Sequence, residues 1–165
     1  MPTEYLTSEE LTTLLRNIVN SRDQLLARFL YESGCSVSEA SELKTGALHP
    51  DGTVAFPDHK ALIAPELARA LLEQAGTHVF HSRQSSSITP KRIQQILKPY
   101  LRSLHKTKST PHILRYSHIV HASQQGLSVA AISRQTGLTA VRVAQLVAEL
   151  GDKRDYRSIF NEVQP

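Results

Sequence analysis

The sequence predicts an α+β domain, mainly α-helical, with a single small antiparallel β-sheet. Three observations carry that prediction. Thr7-Ser8-Glu9-Glu10 stands before Leu11, Leu14, Leu15 and Ile18, a capping box followed by an apolar stripe at helical spacing. Thr53–Phe56 and Ala61–Ile63 flank Pro57-Asp58-His59-Lys60, two short β-like runs around a turn. The stretch from Leu127 to Val147 has helix-turn-helix spacing. In it Gly137 ends one helix where a positive φ is cheap, and the Thr139 hydroxyl caps the next, which points Val143, Leu146, Val147 and Leu150 inward.

The other elements follow in order. Asn20–Asp23 breaks the chain, and Leu25, Leu26, Phe29 and Leu30 restart a helix that stops at Gly34. Ser38–Leu43 reads as a third, short helix, and Gly46–Asp51 as turn chemistry centred on Pro50-Asp51-Gly52. Pro65 sits in the first turn of a helix through Glu73 closed by Gly76, and His78–Phe80 reads as one more strand. Pro90 opens a helix that buries Ile93, Ile96, Leu97, Tyr100 and Leu101, with Lys91, Arg92, Lys98 and Arg102 on its other faces. Pro111-His112-Ile113-Leu114-Arg115 opens another and puts His112 and Arg115 on one helix face. At 165 residues the simplest organisation is one domain over 1–165, with a charged C-terminal tail at 152–165.

Charge is divided unevenly. Residues 1–75 hold six Lys/Arg against eleven Asp/Glu, a net of −5, whereas residues 76–165 hold thirteen against four, a net of +9. Between Glu73 and Glu149 there is no acid, but there are ten Lys/Arg and six His. A solvated face mixes signs, so this interval points to a polyanion, with Arg83, Lys91, Arg92, Lys106, Lys108, Arg134 and Arg142 as the contacts. Arg142 lies in the second helix of the turn motif, where a side chain reaches the major groove. Tryptophan is absent and aromatics are few, which argues against a base-stacking platform. No apolar run spans a membrane, and Cys35 is alone, so no internal disulfide forms and a cytoplasmic setting follows. His118/His121 and His78/His81 have H-x-x-H spacing without cysteine or flanking acids, so no metal and no cofactor is expected.

The order of motifs resembles the catalytic domain of the tyrosine recombinases, the phage integrase family, over about residues 5–150. Tyr5–Glu10, Leu30–Ala40, the hairpin, Ala64-Pro65-Glu66-Leu67 and Thr110–Arg115 fall in family order, and the H-x-x-R box is the most specific. Set beside the family, the chain is expected to be a single such domain without the usual N-terminal core-binding domain. The resemblance implies an integrase-like fold and a remnant catalytic set of His112, Arg115 and the hairpin Lys60. It also exposes losses. Ser36 stands where the family has its first arginine, Leu138 where it has a later His or Trp, and Val147 where it has the tyrosine nucleophile. The nearest tyrosine beyond is Tyr156. Phosphodiester cleavage needs preorganised charge on both non-bridging oxygens, and losing one strong donor costs roughly 10²–10³ in rate.

The resemblance therefore implies a catalytically degenerate double-stranded-DNA-binding protein, a regulator or accessory factor in recombination or integration of a mobile element. Its expected protein partner is a second copy or a partner recombinase. Two alternatives stay open: an active recombinase using Tyr156, and a helix-turn-helix transcription regulator, which would not need the hairpin.

Overall fold

The computed structural model describes residues 4–104, 106 and 110–150. The expected capping box opens α1 (Ser8–Asn17): Glu10 N–H donates to Thr7 Oγ1 and Thr7 N–H to Glu10 Oε1, both at 3.0 Å. Helix α2 (Ser21–Ser33) is capped by Asn20 and ends at Gly34, whose φ of 68° lets its N–H reach Leu30 O. A second capping box, absent from the sequence reading, starts α3 (Val37–Glu42) two residues past the Gly34 cap. Glu39 N–H donates to Ser36 Oγ and Ser36 N–H to Glu39 Oε1. The hairpin is β1 (Thr53–Ala55) against β2 (Lys60–Leu62), antiparallel with Val54 opposite Ala61. After it come α4 (Pro65–Gln74), α5 (Pro90–Arg102), α6 (His112–Gln124), α7 (Val129–Thr136) and α8 (residues 140–150).

Two expectations are corrected. His78–Phe80 is not a strand, because its backbone bonds are divided: His78 bridges Lys44, Val79 N–H goes to Leu43 O, and Phe80 O accepts from Ile88 N–H. The edge of β2 that a third strand would cover is taken instead by one side chain. Gln135 accepts from Leu62 N–H through Oε1 at 2.9 Å and donates from Nε2 to Leu62 O at 2.8 Å. Gly76 does not close α4 either; Ala75 caps it in an extended conformation.

Burial follows the stripes read from sequence and divides into two clusters. The larger joins α1 to α5 around Leu14, Leu26, Phe29, Leu30, Leu67, Leu71, Ile93 and Leu97. The smaller joins α6, α7 and α8 through Ile119, Val120, Ile132, Val143, Leu146 and Leu150. Gly137 takes φ 76° and the Thr139 hydroxyl accepts from Arg142 N–H, as the turn motif requires. His121 holds the end of the first cluster to the second. Its Nε2 faces Leu6 O at 2.8 Å and its Nδ1 faces Tyr31 Oη at 2.7 Å. With Nε2–H donating to a carbonyl, Nδ1 accepts from the phenol, so both nitrogens are used and no metal can be held there. Among the described residues no helix is long and apolar enough to cross a membrane.

Candidate functional site

The H-x-x-R box starts α6, but its two members have different surroundings. His112 is exposed and stacks on Tyr116, with ring centroids 6.5 Å apart. The Arg115 side chain is only 16% exposed. Its Nη2 donates to Thr136 O at 3.0 Å and lies 4.0 Å from Glu39 Oε1, and its Nε is buried without a hydrogen-bond partner. The charge is met inside the protein, by a carboxylate on α3 and a carbonyl at the end of α7.

Lys60 does not join Arg115. It is exposed at the start of β2, lining a shallow apolar concavity with Leu62, His118, Leu127 and Arg134. Side chains alternate along extended chain, so it is the preceding residue, His59, that turns toward Glu39. The His59 side chain is 7% exposed. Its Nδ1 meets Asp58 Oδ1 at 2.6 Å, its ring stacks on Phe56 at 4.8 Å, and its Nε2 lies 3.8 Å from Glu39 Oε2. That last separation allows charge attraction but is too long for a hydrogen bond, and Nε2 has no other partner. The bond from His59 holds the Asp58 carboxyl below its ordinary value. Gly137 completes the enclosure, since a Cβ there would stand 2.6 Å from His59 Cε1.

At position 36, where the resemblance expects an arginine, Ser36 has its hydroxyl already engaged with Glu39 N–H. Glu39 thus serves three neighbours: its own helix cap, Arg115 and His59. In the fold Arg115 belongs to a closed junction with His59, Glu39 and Asp58, while His112, its partner in the H-x-x-R box, stays exposed outside it. Glu39, Asp58 and His59 were missed in the sequence reading. The S-x-x-E capping pattern at Ser36-Val37-Ser38-Glu39 was the available signal for Glu39.

The remaining basic candidates fall into three groups. Arg83, Lys91, Arg92, Arg134 and Arg142 are exposed, and none is ion-paired with a described acid. Lys106 differs from these, because its Nζ already lies 2.8 Å from Glu10 Oε2 on α1. The interval is free of acids along the chain but not in space. Lys108 and Tyr156, with the tail at 152–165, lie outside the described residues. Leu138 and Val147 are half-buried and pack against the smaller core. His118 is no surface cation, since burial above all pushes its imidazole down to about 4. Burial pushes the Cys35 thiol up to about 12, which leaves it inert.

No family model matches the chain. The tyrosine recombinase XerA of Pyrococcus furiosus is 26% identical over 166 residues, covering 90% of this chain and 58% of that protein. The chain spans about three fifths of the length of the curated relatives it matches, 58% and 61% for the first two. Among solved structures, XerA recombinase aligns over all of this chain and 67% of its own, with a TM-score of 0.83 at 19% identity. The XerH site-specific recombinase bound to its palindromic difH substrate, in a post-cleavage complex, aligns over 98% of this chain and 54% of its own, with a TM-score of 0.81 at 14% identity. The fold is that of a tyrosine recombinase catalytic domain, mainly helical with a two-stranded antiparallel sheet, and the resemblance read from the motifs stands.

Proposed function

We propose that this chain binds double-stranded DNA and does not cut it, serving recombination or integration of a mobile element as a regulatory or accessory component. One observation carries the second half of that reading. Ser36 is committed to a helix cap, and Arg115 is committed to Thr136 O and Glu39. A pentacoordinate phosphate would therefore lack the paired guanidinium forks that neutralise its oxygens. The first half is supported by the substrate-bound neighbour of like fold and by five exposed cations without acidic partners among the described residues, Arg83, Lys91, Arg92, Arg134 and Arg142.

The test is a nicked suicide duplex in a salt titration. We expect binding with log K falling against log salt at a slope near −4 to −5, for about five phosphates neutralised, and no covalent adduct. An adduct abolished by Tyr156→Phe would overturn the non-cleaving reading in favour of an active recombinase. Lys153, Arg154 and Arg157, which flank that phenol in sequence, are the feature that favours this second reading. An adduct formed only with a second recombinase present would mean an active site divided between subunits. A flat salt dependence would remove DNA altogether.

A further inference from the structure

A second basic neighbourhood lies away from the closed junction and shares no residue with it. Arg22 at the start of α2, Arg83 in the loop after α4 and Arg92 in the first turn of α5 line one concavity of about 590 Å³. Its other polar walls include Ser21 and Gln84, while Ile88 and Ile96 form an apolar floor. No Asp or Glu lines it. Arg83 and Arg92 are exposed and have no ion-pair partner among the described residues. Arg22 is held differently. Its Nε and Nη2 both lean on Asp23 Oδ1, at 3.4 and 3.3 Å, which fixes the guanidinium and offsets its charge. The set then carries about two uncompensated positive charges and three planar donor forks on three separate chain segments.

We infer that this concavity is a seat for phosphate groups, gripped by Arg22, Arg83 and Arg92 together. Guanidinium forks match phosphate oxygens bidentately, and two free ones, Arg83 and Arg92, beside an Arg22 held in place by Asp23 form an anion site rather than a solvated face. The positive end of the α2 dipole, at Ser21 and Arg22, adds to the same field. The volume lies within the range of ligand clefts and exceeds what a single small ion requires. This suits a phosphate flanked by the groups it is esterified to. The duplex-binding reading supplies the source, a backbone phosphodiester, and the seat rests on that reading only for that choice. Arg22 belongs to the acid-rich half of the chain, so the seat extends the basic surface across the boundary that the charge distribution draws.

The experiment has two arms on the full chain. In the first, a 20-bp duplex is titrated against salt with wild type, Arg22→Ala, Arg83→Ala, Arg92→Ala and the control Arg69→Ala on exposed α4. Arg83→Ala and Arg92→Ala should each lower the salt slope by about 1, and Arg22→Ala, whose charge Asp23 already offsets, should lower it by less; all three should weaken binding alike across unrelated sequences. The control should leave the slope unchanged. In the second, inorganic pyrophosphate is added in a thermal-shift assay. A rise in Tm that is present in wild type and absent in Arg83→Ala/Arg92→Ala, with duplex slopes unaltered, supports the seat and assigns it to a free phosphate compound. Unaltered slopes with no such rise overturn it. If wild type binds no duplex at all, the DNA reading fails and the pyrophosphate arm alone decides the seat.

Discussion

Arg115 and Arg92 are both arginines near the start of a long helix in the basic half of the chain, yet they have opposite fates. Arg115 is mostly buried, bonded to Thr136 O and drawn toward Glu39. Arg92 is exposed beside Arg83 in a concavity without acids. The residue with the stronger motif has the less available charge. Availability is set by which acids the fold brings near, and Glu39, whose Oε1 also accepts from Ser36 N–H at its own helix cap, lies 4.0 Å from Arg115 Nη2. A cation already neutralised inside has little to offer a phosphate, whereas a free surface cation releases counterions when it meets one.

The largest effect should come from breaking the closed side of this contrast. Gly137 holds a left-handed φ of 76°, and a Cβ there meets the His59 ring, which Phe56 and Asp58 hold in place. Gly137→Ala should cost about 3 kcal/mol in urea unfolding, from the left-handed penalty together with overpacking. In a His59→Ala background the cost should fall toward the backbone penalty alone. Equal costs in both backgrounds would show that His59 does not plug the junction.

Acid should loosen the same side next. His118 packs against Gly34 and the Tyr31 ring, and burial, its leading cause, lowers its pKa from 6.5 to about 4. The unfolded chain then binds the proton first, so stability is full above pH 6.5 and drains as pH falls through about 4. The drain amounts to about 3 kcal/mol. Unfolding of His118→Gln measured at pH 7 and pH 4.5 should lack most of that difference. If the variant keeps the whole wild-type drop, the acid sensitivity lies elsewhere.

Arg115→Ala and Arg92→Ala should then separate stability from affinity. Arg115→Ala removes a charge-assisted bond and leaves Thr136 O and Glu39 short of a partner, at about 1.5–3 kcal/mol of stability. It should change the duplex salt slope by much less than 1. Arg92→Ala should do the reverse, near-neutral for folding and lowering the slope by about 1. If Arg115→Ala lowered the slope as much as Arg92→Ala, the two sites would not differ in the way the contacts indicate.

The helices, the hairpin and the α7–α8 turn were legible because each is written locally: Thr7 with Glu10, Gly34 and Gly137 at helix ends, Thr139 before an apolar stripe. The family likeness was legible from the order of those units. What the sequence withheld was pairing across distance. The resemblance puts Lys60 in the site, but a strand's alternation sends it out and His59 in, and the hairpin's register decides which. Gln135 gave no sign that its carboxamide would stand in for a third strand. Arg83 and Arg92 stand out in the sequence by charge alone, and nothing in it brings Arg22 beside them.

Lys106 gives the smallest effect and tests the same point in miniature. It sits within the stretch between Glu73 and Glu149 that contains no acid, which marked it as a phosphate contact. In the fold its ammonium meets Glu10 at 2.8 Å, both side chains about one quarter exposed. Burial pulls the Glu10 carboxyl upward, but Lys106 and the bonds from Thr7 outweigh it and hold the pKa below its ordinary 4.5. The pair is therefore intact above that value and is lost as pH falls below it. An exposed pair of this kind contributes roughly 0.2–1 kcal/mol. Lys106→Ala should cost no more than that at pH 7, and nothing additional once Glu10 is protonated. It should also leave the duplex salt slope where wild type has it, because a cation already spent on a carboxylate releases few counterions. A slope lowered by about 1 would mean that DNA takes Lys106 away from Glu10, and that acids near in space do not withhold a cation as they do at Arg115.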